Sequence, residues 1–347
     1  MTKETKIILG AVIVLVVIGL YFVLSQRPSV IPPEKKPIIK IGITQIVDHP
    51  ALNAVRDGFI EKMTELGYRE GENISYDIQN AQGDMTVAST IAQKFVADKV
   101  NLILSIATPT SQAAVNATEE IPIVFSAVTD PIGAGLVENL ENPGKNVTGM
   151  SDLTPVKEQI ELIKAIVPEA KKIGTIYNPG EANSVLTNNL AKEACQDLGL
   201  ELIEATADTT HIVLLAAQSL VGKVDAIYVS TDNTTVSALT AVSQVTTENK
   251  IPLVTADPTT INQEVLISLG FDYYQHGVET APIVAEILEG KNPGSIPIKF
   301  AKELKLVINK DTAFKIEKVP GDLIAICAEF AKKLEEEGMK ITLSTIQ

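Results

Sequence analysis

From about residue 38 onward, short runs of β-branched and apolar residues alternate with longer segments in which apolar residues recur every three or four positions. The first short run, "IIKIGITQI", has the composition of a buried strand. The segment after it places five apolar residues on one face of a helix: Ala51, Val55, Phe59, Met63 and Leu66. This alternation continues to near residue 257 and predicts parallel sheets covered by helices on both faces.

Two stretches of this body share one order of elements. "NLILSIATPTSQAAVNATEEIPIVFSAVTDP" and "DAIYVSTDNTTVSALTAVSQVTTENKIPLVTADP" each read as a strand, a polar loop, a helix and a second strand that starts at "IP" and ends in "DP". This repetition predicts an α/β fold of two doubly wound parallel-sheet lobes joined by a multi-segment hinge. We place lobe 1 at residues 38–155 with a returning segment at about 270–290. Lobe 2 takes residues 156–268 with a C-terminal segment at about 291–347.

The N-terminal segment has a different pattern. Residues 7–24 contain no charge and no proline, and as a helix they would span roughly 27 Å, close to the hydrocarbon core of a bilayer. The residues that follow contain neither the small-residue cleavage pattern of a signal peptide nor a cysteine that could accept a lipid. We therefore predict an uncleaved transmembrane anchor over residues 1–26 and a proline-rich linker over residues 27–37.

Charge and cysteine content narrow the choice of partners. The net charge is -14 and the chain has only three arginines, so it lacks the basic surface that nucleic acid requires. Cys195 and Cys327 lie far apart and belong to no Cys/His cluster, so we expect no metal site. A disulfide between them, in an exported protein, and two separate buried thiols both stay open.

Six loops that follow predicted strands are rich in Ser, Thr, Asn, Asp and Pro, among them "SIATPTS", "SAVTDP" and "STDNTT". Ligands of open parallel sheets bind beyond the carboxyl ends of strands, where helix N-termini offer free N–H groups. Each of these residues is also an ordinary helix cap, and that alternative stays open. If the two lobes face each other, we expect a zwitterion there, its carboxylate at residues 108–111 and Thr129 and its ammonium at Asp232.

The sequence contains little that indicates catalysis. Its three histidines, His49, His211 and His276, are scattered, and neither a G-x-S-x-G nucleophile motif nor a P-loop is present. A pair of acids facing each other across the cleft, Asp130 and Asp232, stays open as the one acid–base arrangement. We expect no enzyme activity, no catalytic residue and no cofactor.

Five ordered blocks, "ITQIVDHPALNAVRDGF", "FSAVTDPIGAGLV", "NPGEANS", "STDNTTVSA" and "LGFDYYQHGVETA", resemble the ABC-transporter substrate-binding protein family that includes tryptophan- and tyrosine-binding members. The resemblance covers roughly residues 38–320. It implies a periplasmic-binding-protein-like fold of type I, with a three-segment hinge and a ligand between the lobes. The ligand-binding residues that it implies are Gln45, Asp48, Thr108, Ser111, Ser126, Val128, Thr129, Asp130, Asn178, Glu181, Asn183, Ser184, Thr231, Asp232 and Asn233.

The resemblance and the anchor together predict a membrane-tethered, extracytoplasmic solute-binding protein. It would capture an amino acid or a similar molecule, with an aromatic one left open, and deliver it to the permease and ATPase subunits of an importer. Two alternatives stay open: a ligand-sensing ectodomain that works with a separate signalling partner, and a hydrolase or isomerase on the same fold. Neighbouring genes would separate transport from sensing, and turnover of a bound compound would reveal an enzyme.

Overall fold

In the computed structural model, residues 2–25, 38–316 and 319–347 are described, and the predicted linker over residues 27–37 lies outside them. The chain divides into an N-terminal unit of residues 1–37 and a body of residues 38–347. In the N-terminal unit a single helix, α1 (Lys3–Ser25), has a mean hydropathy of 3.2 over its most apolar window and no buried residue. By length and composition it could cross a membrane.

The body contains strands and helices in nearly strict alternation. In chain order they are β1 (Ile39–Gln45), α2 (Pro50–Glu65), β2 (Ile74–Asn80), α3 (Met85–Ala97), β3 (Leu102–Ile106), α4 (Thr108–Ala117), β4 (Ile123–Val128), β5 (Val147–Ser151), α5 (Val156–Ile166), β6 (Lys172–Tyr177), α6 (Ala182–Asp197), β7 (Glu201–Thr206), α7 (Thr210–Leu220), β8 (Ala226–Val229), α8 (Asn233–Ser237), α9 (Leu239–Glu248), β9 (Leu253–Thr255), β10 (Ile267–Phe271), α10 (Tyr273–Leu288), β11 (Lys299–Phe300), β12 (Glu303–Asn309), α11 (Lys310–Lys315), α12 (Leu323–Glu336) and β13 (Lys340–Ile346).

These elements form two sheets, with one hydrophobic core cluster in lobe 1 and two in lobe 2 among the described residues. The sheet of lobe 1 has the order β11-β5-β4-β3-β1-β2 and all of its pairs are parallel. The sheet of lobe 2 has the order β13-β12-β10-β9-β8-β6-β7. Central strands such as β3, β4 and β8 are buried along their whole length, as expected for strands covered on both faces. The predicted fold of two parallel-sheet α/β lobes is confirmed.

The edge of the lobe 2 sheet departs from the expected parallel pattern. β12 pairs antiparallel with β10, and β13 then pairs parallel with β12. β12 follows the short crossover from lobe 1, so the chain re-enters lobe 2 running in the reverse direction. The tail "KITLSTI", which forms β13, was not predicted as a strand. Its alternation of half-buried and exposed residues is typical of an edge strand.

The chain crosses between the two sheets three times, at residues 152–155, at residue 272 and at residues 301–302. After the second crossing α10 packs in the core of lobe 1. The structure differs from our expectation at residues 291–300, which we assigned to lobe 2. Ile296 and Ile298 lie in the core of lobe 1, and β11 pairs with β5. Three crossings form the hinge that connects the lobes.

Helices α2 and α10 pack with their backbones in near contact. A Cβ atom on Gly58 would lie 2.2 Å from the carbonyl oxygen of Tyr274, and one on Gly277 would lie 2.0 Å from that of Val55. Only glycine fits at such a crossing. This contact fixes the position of α2, whose N-terminus faces lobe 2.

The two cysteines answer the question left open by the sequence. Cys195 and Cys327 are both free and both buried in the core of lobe 2. Burial raises the pKa of the Cys195 thiol to about 11 and that of Cys327 to about 12. Both therefore behave as small hydrophobic side chains.

Candidate ligand-binding site

A cavity lies between the lobes, next to the hinge. Its free space is about 20 Å³, close to that of a single water molecule. Lobe 1, lobe 2 and the hinge all contribute to its wall. The lining residues are His49, Ala51, Leu52, Ala127, Thr129, Asp152, Asn183, Thr231, Asp232, Asn233, Val236, Asp257 and Tyr273.

On the lobe 1 side, the cavity meets the first turn of α2. Pro50 occupies the first helical position, where its missing N–H is not needed, and Ala51 and Leu52 line the cavity. The helix begins after His49, whose side chain makes no capping hydrogen bond. The first-turn N–H groups have no acceptor within the helix, so this end carries partial positive charge toward the cavity.

On the lobe 2 side, Asp232 closes the N-terminus of α8. One carboxylate oxygen of Asp232 accepts the backbone N–H of Thr235 at 2.6 Å, and the other accepts the backbone N–H of Asn178 at 2.6 Å. The side chain is fully buried, and burial raises the pKa of Asp232. Both oxygens therefore already have partners within lobe 2.

Behind Asp232, a second buried acid is held by neutral donors. Glu181 accepts hydrogen bonds from the Asn233 amide at 2.5 Å and from the Thr234 hydroxyl at 2.8 Å. Burial, together with the neighbouring charge of Asp232, raises the pKa of Glu181 to about 7. The carboxyl group of Glu181 is therefore held by uncharged hydrogen-bond donors rather than by a cation.

The first hinge crossing and the end of β9 add two more acids, and the start of α10 adds a tyrosine. Asp152, at the first crossing, accepts hydrogen bonds from the Tyr273 hydroxyl at 2.9 Å and from the Thr129 hydroxyl at 3.2 Å. Asp257 follows β9, and its Oδ1 accepts the Thr259 backbone N–H at 2.8 Å. Burial, with the nearby charge of Asp152, raises the pKa of Asp257 to about 6. A bound cation would favour the charged form of both acids.

One hydrogen bond crosses the cavity from lobe to lobe. Nε2 of His49 lies 3.4 Å from Oδ1 of Asn233. The His49 side chain is only 7% exposed, and burial lowers its pKa to about 4. His49 is therefore a neutral imidazole at physiological pH.

Several polar atoms in the cavity wall have no partner within the protein. They are His49 Nδ1, Asn183 Oδ1, Thr231 Oγ1 and Asp257 Oδ2. Buried polar atoms normally have hydrogen-bond partners, so a cluster of unpaired ones in one cavity points to a ligand. The lining residues, all of them described, include three aspartates and no lysine or arginine.

The structure separates the residues proposed from the sequence into three groups. Five of them line this cavity: Thr129, Asn183, Thr231, Asp232 and Asn233. Two border neighbouring parts of the cleft: Asp130 and Glu181. The others lie outside these linings: Gln45, Asp48, Thr108, Ser111, Ser126, Val128, Asn178 and Ser184.

The loop over residues 105–111 shows why a polar strand end need not face a ligand. The hydroxyls of Thr110 and Ser111 donate to carbonyls of their own helix turn, at 2.6 and 2.8 Å. Ser126, at the end of the next strand, bonds instead to Thr280 on α10 at 2.9 Å. These side chains hold lobe 1 together.

Asp152, Asp257 and Tyr273 were not among the ligand-binding residues that the sequence predicted, and neither was the first turn of α2. Asp257 does carry a detectable signal, because it ends "TADP" just as Asp130 ends "AVTDP". The other two lie at hinge crossings, which the sequence does not locate. Among the described residues, no group of three or more His, Cys, Asp and Glu side chains could hold a metal ion.

The family model described as ABC transporter substrate binding protein matches residues 40–327. A tyrosine-binding protein of Clostridioides difficile (strain R20291) is 44% identical over 286 residues, which cover 82% of this chain and 83% of that protein. These two matches span nearly the whole body.

Solved structures give a similar result. An ABC domain from Streptococcus pneumoniae in complex with L-Trp is 32% identical with a TM-score of 0.78, over 83% of this chain and 98% of that one. The ligand-free, open structure of a substrate-binding protein with adhesive properties from Clostridium difficile is 39% identical, yet its TM-score is 0.62, over 88% of this chain and 100% of that one. The overall similarity is thus higher to the L-Trp complex than to the open structure.

Proposed function

This chain belongs to the ABC transporter substrate-binding protein family, and on that premise we propose that it captures a free aromatic amino acid by closing its two lobes around it. The similarity to a tyrosine-binding protein and to a structure in complex with L-Trp supports this ligand class. Family membership makes the chain a substrate-binding protein of an ABC transporter. The residues that line the cavity support a more detailed account of how such a ligand would be held.

The unpaired polar atoms of the cavity carry the proposal. Three of the four, His49 Nδ1, Asn183 Oδ1 and Asp257 Oδ2, can only accept hydrogen bonds while the neutral histidine carries its proton on Nε2 and the acid is charged. A ligand with several hydrogen-bond donors would satisfy these acceptors. An α-ammonium group offers three N–H donors and a positive charge, which suits a wall with three aspartates and no cation.

Within that wall we assign the ammonium to Asp257. Its Oδ1 is occupied by Thr259, whereas its Oδ2 is buried and free. Asp232 has no free oxygen, because both of its oxygens accept backbone N–H groups. Asp257 therefore replaces Asp232 as the ammonium partner in our interpretation.

The ligand carboxylate goes to the first turn of α2. The N–H groups of Ala51 and Leu52 belong to a long helix that no side chain caps, and both residues line the cavity. A carboxylate at such an end is stabilised by hydrogen bonds and by the helix dipole. Apolar contacts to Leu52, Ala127 and Val236 are available to the side chain of the ligand.

The size of the cavity implies opening and closing. The free space inside the cavity, about 20 Å³, is close to that of one water molecule and too small for an amino acid. A ligand therefore enters only when the lobes separate at the three hinge crossings. Hinge closure around a ligand would then bury it between both lobes.

Titration calorimetry of the body, residues 38–347, tests the ligand class. Its hydrophobic cores contain no residue of α1, so the body is a sound fragment to use. We expect L-tyrosine or L-tryptophan to bind and to raise the melting temperature, and myo-inositol and glucose to have no effect. Binding of a sugar without binding of any amino acid would refute the proposal.

We further propose that α1 anchors the body on the outer side of the membrane, and that the permease and ATPase of an importer are its partners. The support for the anchor is the length and hydropathy of α1. Alkaline carbonate extraction of cell membranes tests it, because an anchored chain stays in the pellet. Recovery of L-tyrosine unchanged after prolonged incubation with the protein would agree with binding without turnover.

A further inference from the structure

His49 stands between the two lobes, and each of its ring nitrogens faces a different group. It precedes α2 in lobe 1, and its Nε2 lies 3.4 Å from Oδ1 of Asn233 in lobe 2. Its Nδ1 is buried, has no partner in the protein and belongs to a residue that lines the cavity. The ring therefore touches the opposite lobe on one side and the ligand space on the other.

The hydrogen-bond network fixes which nitrogen carries the proton. The amide nitrogen of Asn233 donates to Glu181 at 2.5 Å, so the amide oxygen is the atom that faces His49. A carbonyl oxygen only accepts, and Nε2 must therefore be the protonated nitrogen. Nδ1 of the neutral ring then has a lone pair and is an acceptor directed at the cavity.

The hydrogen bond between His49 and Asn233 differs in position from the other hydrogen bonds between the lobes. Among the side-chain hydrogen bonds of the described residues, it is the one that joins the lobes across the cleft away from the hinge. The other bonds between the lobes, such as Tyr273 to Asp152, lie at the crossings. Closure of the cleft thus has one polar contact that opening must break.

We propose that His49 couples recognition of the ligand to closure: its Nδ1 accepts a hydrogen bond from the α-ammonium group while its Nε2 holds Asn233 of the other lobe. The inference rests on the proposed function and deepens it. The α-carboxylate sits at the α2 N–H groups, and the ammonium is attached to the same carbon, next to the residue that precedes α2. An N-acylated or des-amino compound cannot make this contact as a charged donor.

Two substitutions separate the two roles of the ring. A glutamine amide can place an N–H near the position of Nε2, and an asparagine amide can place an oxygen near that of Nδ1. His49→Gln therefore keeps a donor for Asn233 and loses the acceptor for the ligand. His49→Asn loses the contact across the cleft, and because asparagine also caps helix N-termini well, this variant is used only to test closure.

The experiment measures binding of L-tyrosine and of 3-(4-hydroxyphenyl)propionate, its des-amino analogue, to the wild type and both variants. We expect His49→Gln to weaken L-tyrosine binding roughly 10- to 100-fold, the effect of one lost charge-assisted hydrogen bond. The same variant should change binding of the analogue by less than about threefold. An equal loss for both compounds, or no loss for L-tyrosine, would overturn the assignment of Nδ1 to the ammonium group.

Closure is measured separately, by small-angle X-ray scattering of the ligand-free proteins. We expect a larger radius of gyration for His49→Asn than for the wild type, and a wild-type value for His49→Gln. Equal values for all three proteins would show that the hydrogen bond between His49 and Asn233 does not hold the lobes together. His211→Gln is the matched control, because His211 lies on the exposed rim of the cleft, and it should leave both affinity and radius unchanged.

This design keeps the two proposals apart. If the wild type binds no amino acid, the proposed ligand class fails, and the scattering comparison still decides whether His49 holds the lobes together. If the wild type binds L-tyrosine and His49→Gln binds it equally well, the ligand class stands and the role of His49 fails.

Discussion

The two walls of the cavity are built alike and charged oppositely. Both place a helix N-terminus at the end of a parallel strand. In lobe 2 the helix α8 is capped by Asp232, so a buried carboxylate cancels its positive end. In lobe 1 the helix α2 follows His49, which leaves its first turn open. A single capping residue thus decides whether the end of a helix attracts an anion or presents an acid.

Placing an aspartate at the N-cap of α2, like the one that caps α8, should remove this difference between the lobes and have the largest effect on binding. In His49→Asp the new carboxylate would accept N–H groups of α2 and would repel the carboxylate of the ligand. We expect L-tyrosine binding to weaken by more than about 100-fold, as measured by calorimetry. Because an aspartate is a good N-cap, the free energy of unfolding should change by less than about 1 kcal/mol. Unaltered affinity would show that the carboxylate does not bind at α2.

Removing the charge of the opposite wall comes next. Asp257→Asn retains the Oδ1 that caps Thr259 and loses the negative charge that we assign to the ammonium group. Loss of one partner of a buried ion pair should weaken L-tyrosine binding by roughly 100-fold. Asp208→Asn, the same change at an exposed site in lobe 2, is the control for net charge and should bind as the wild type does.

Asp232 and Asp257 should then differ, because loss of Asp232 should lower stability whereas loss of the Asp257 charge should weaken binding. Asp232→Ala leaves the N–H groups of Asn178 and Thr235 without acceptors inside lobe 2. We expect a loss of about 2 kcal/mol in the free energy of unfolding, measured with urea. Asp84→Ala removes the cap of α3 at the surface and should lower stability less. Unchanged stability of Asp232→Ala, with binding abolished, would restore Asp232 as the ammonium partner.

The affinity for L-tyrosine should also depend on pH. Burial raises the pKa of Asp257 to about 6, so this carboxyl loses the charge that attracts an ammonium group as the pH falls below that value. Burial lowers the pKa of His49 to about 4, so closure must expel a proton from this ring at pH values below about 6.5. Both groups make L-tyrosine binding weaker in acid, by up to about tenfold per pH unit for each proton. Calorimetry between pH 5 and 8 checks this, and Asp257→Asn should show a shallower slope.

Much of this architecture could be predicted from the sequence, because periodicity and the repeated order of elements are local signals. Apolar runs predicted the strands, and the paired "IP…DP" segments predicted two lobes of one design. Where the chain crosses between lobes is not local information. Residues 291–300 were placed in the wrong lobe for that reason, since β11 pairs with a strand far away in the sequence.

The site could be predicted only in part, for a related physical reason. A polar residue after a strand satisfies its own helix or faces a ligand, and the sequence looks the same in both cases. Thr110 and Ser111 do the first, whereas Asn183 Oδ1 and Thr231 Oγ1 lack partners in the cavity wall. The first turn of α2 escapes any search for polar side chains, because its contribution is backbone N–H.

The glycine crossing of α2 and α10 has a mechanical consequence. Gly58 and Gly277 bring the two backbones so close that α2 and α10 can move only together. α10 starts at Tyr273, whose hydroxyl is tied to Asp152 at the pivot. A displacement of the N-terminus of α2 would therefore be transmitted to the hinge through backbone contacts rather than through flexible side chains.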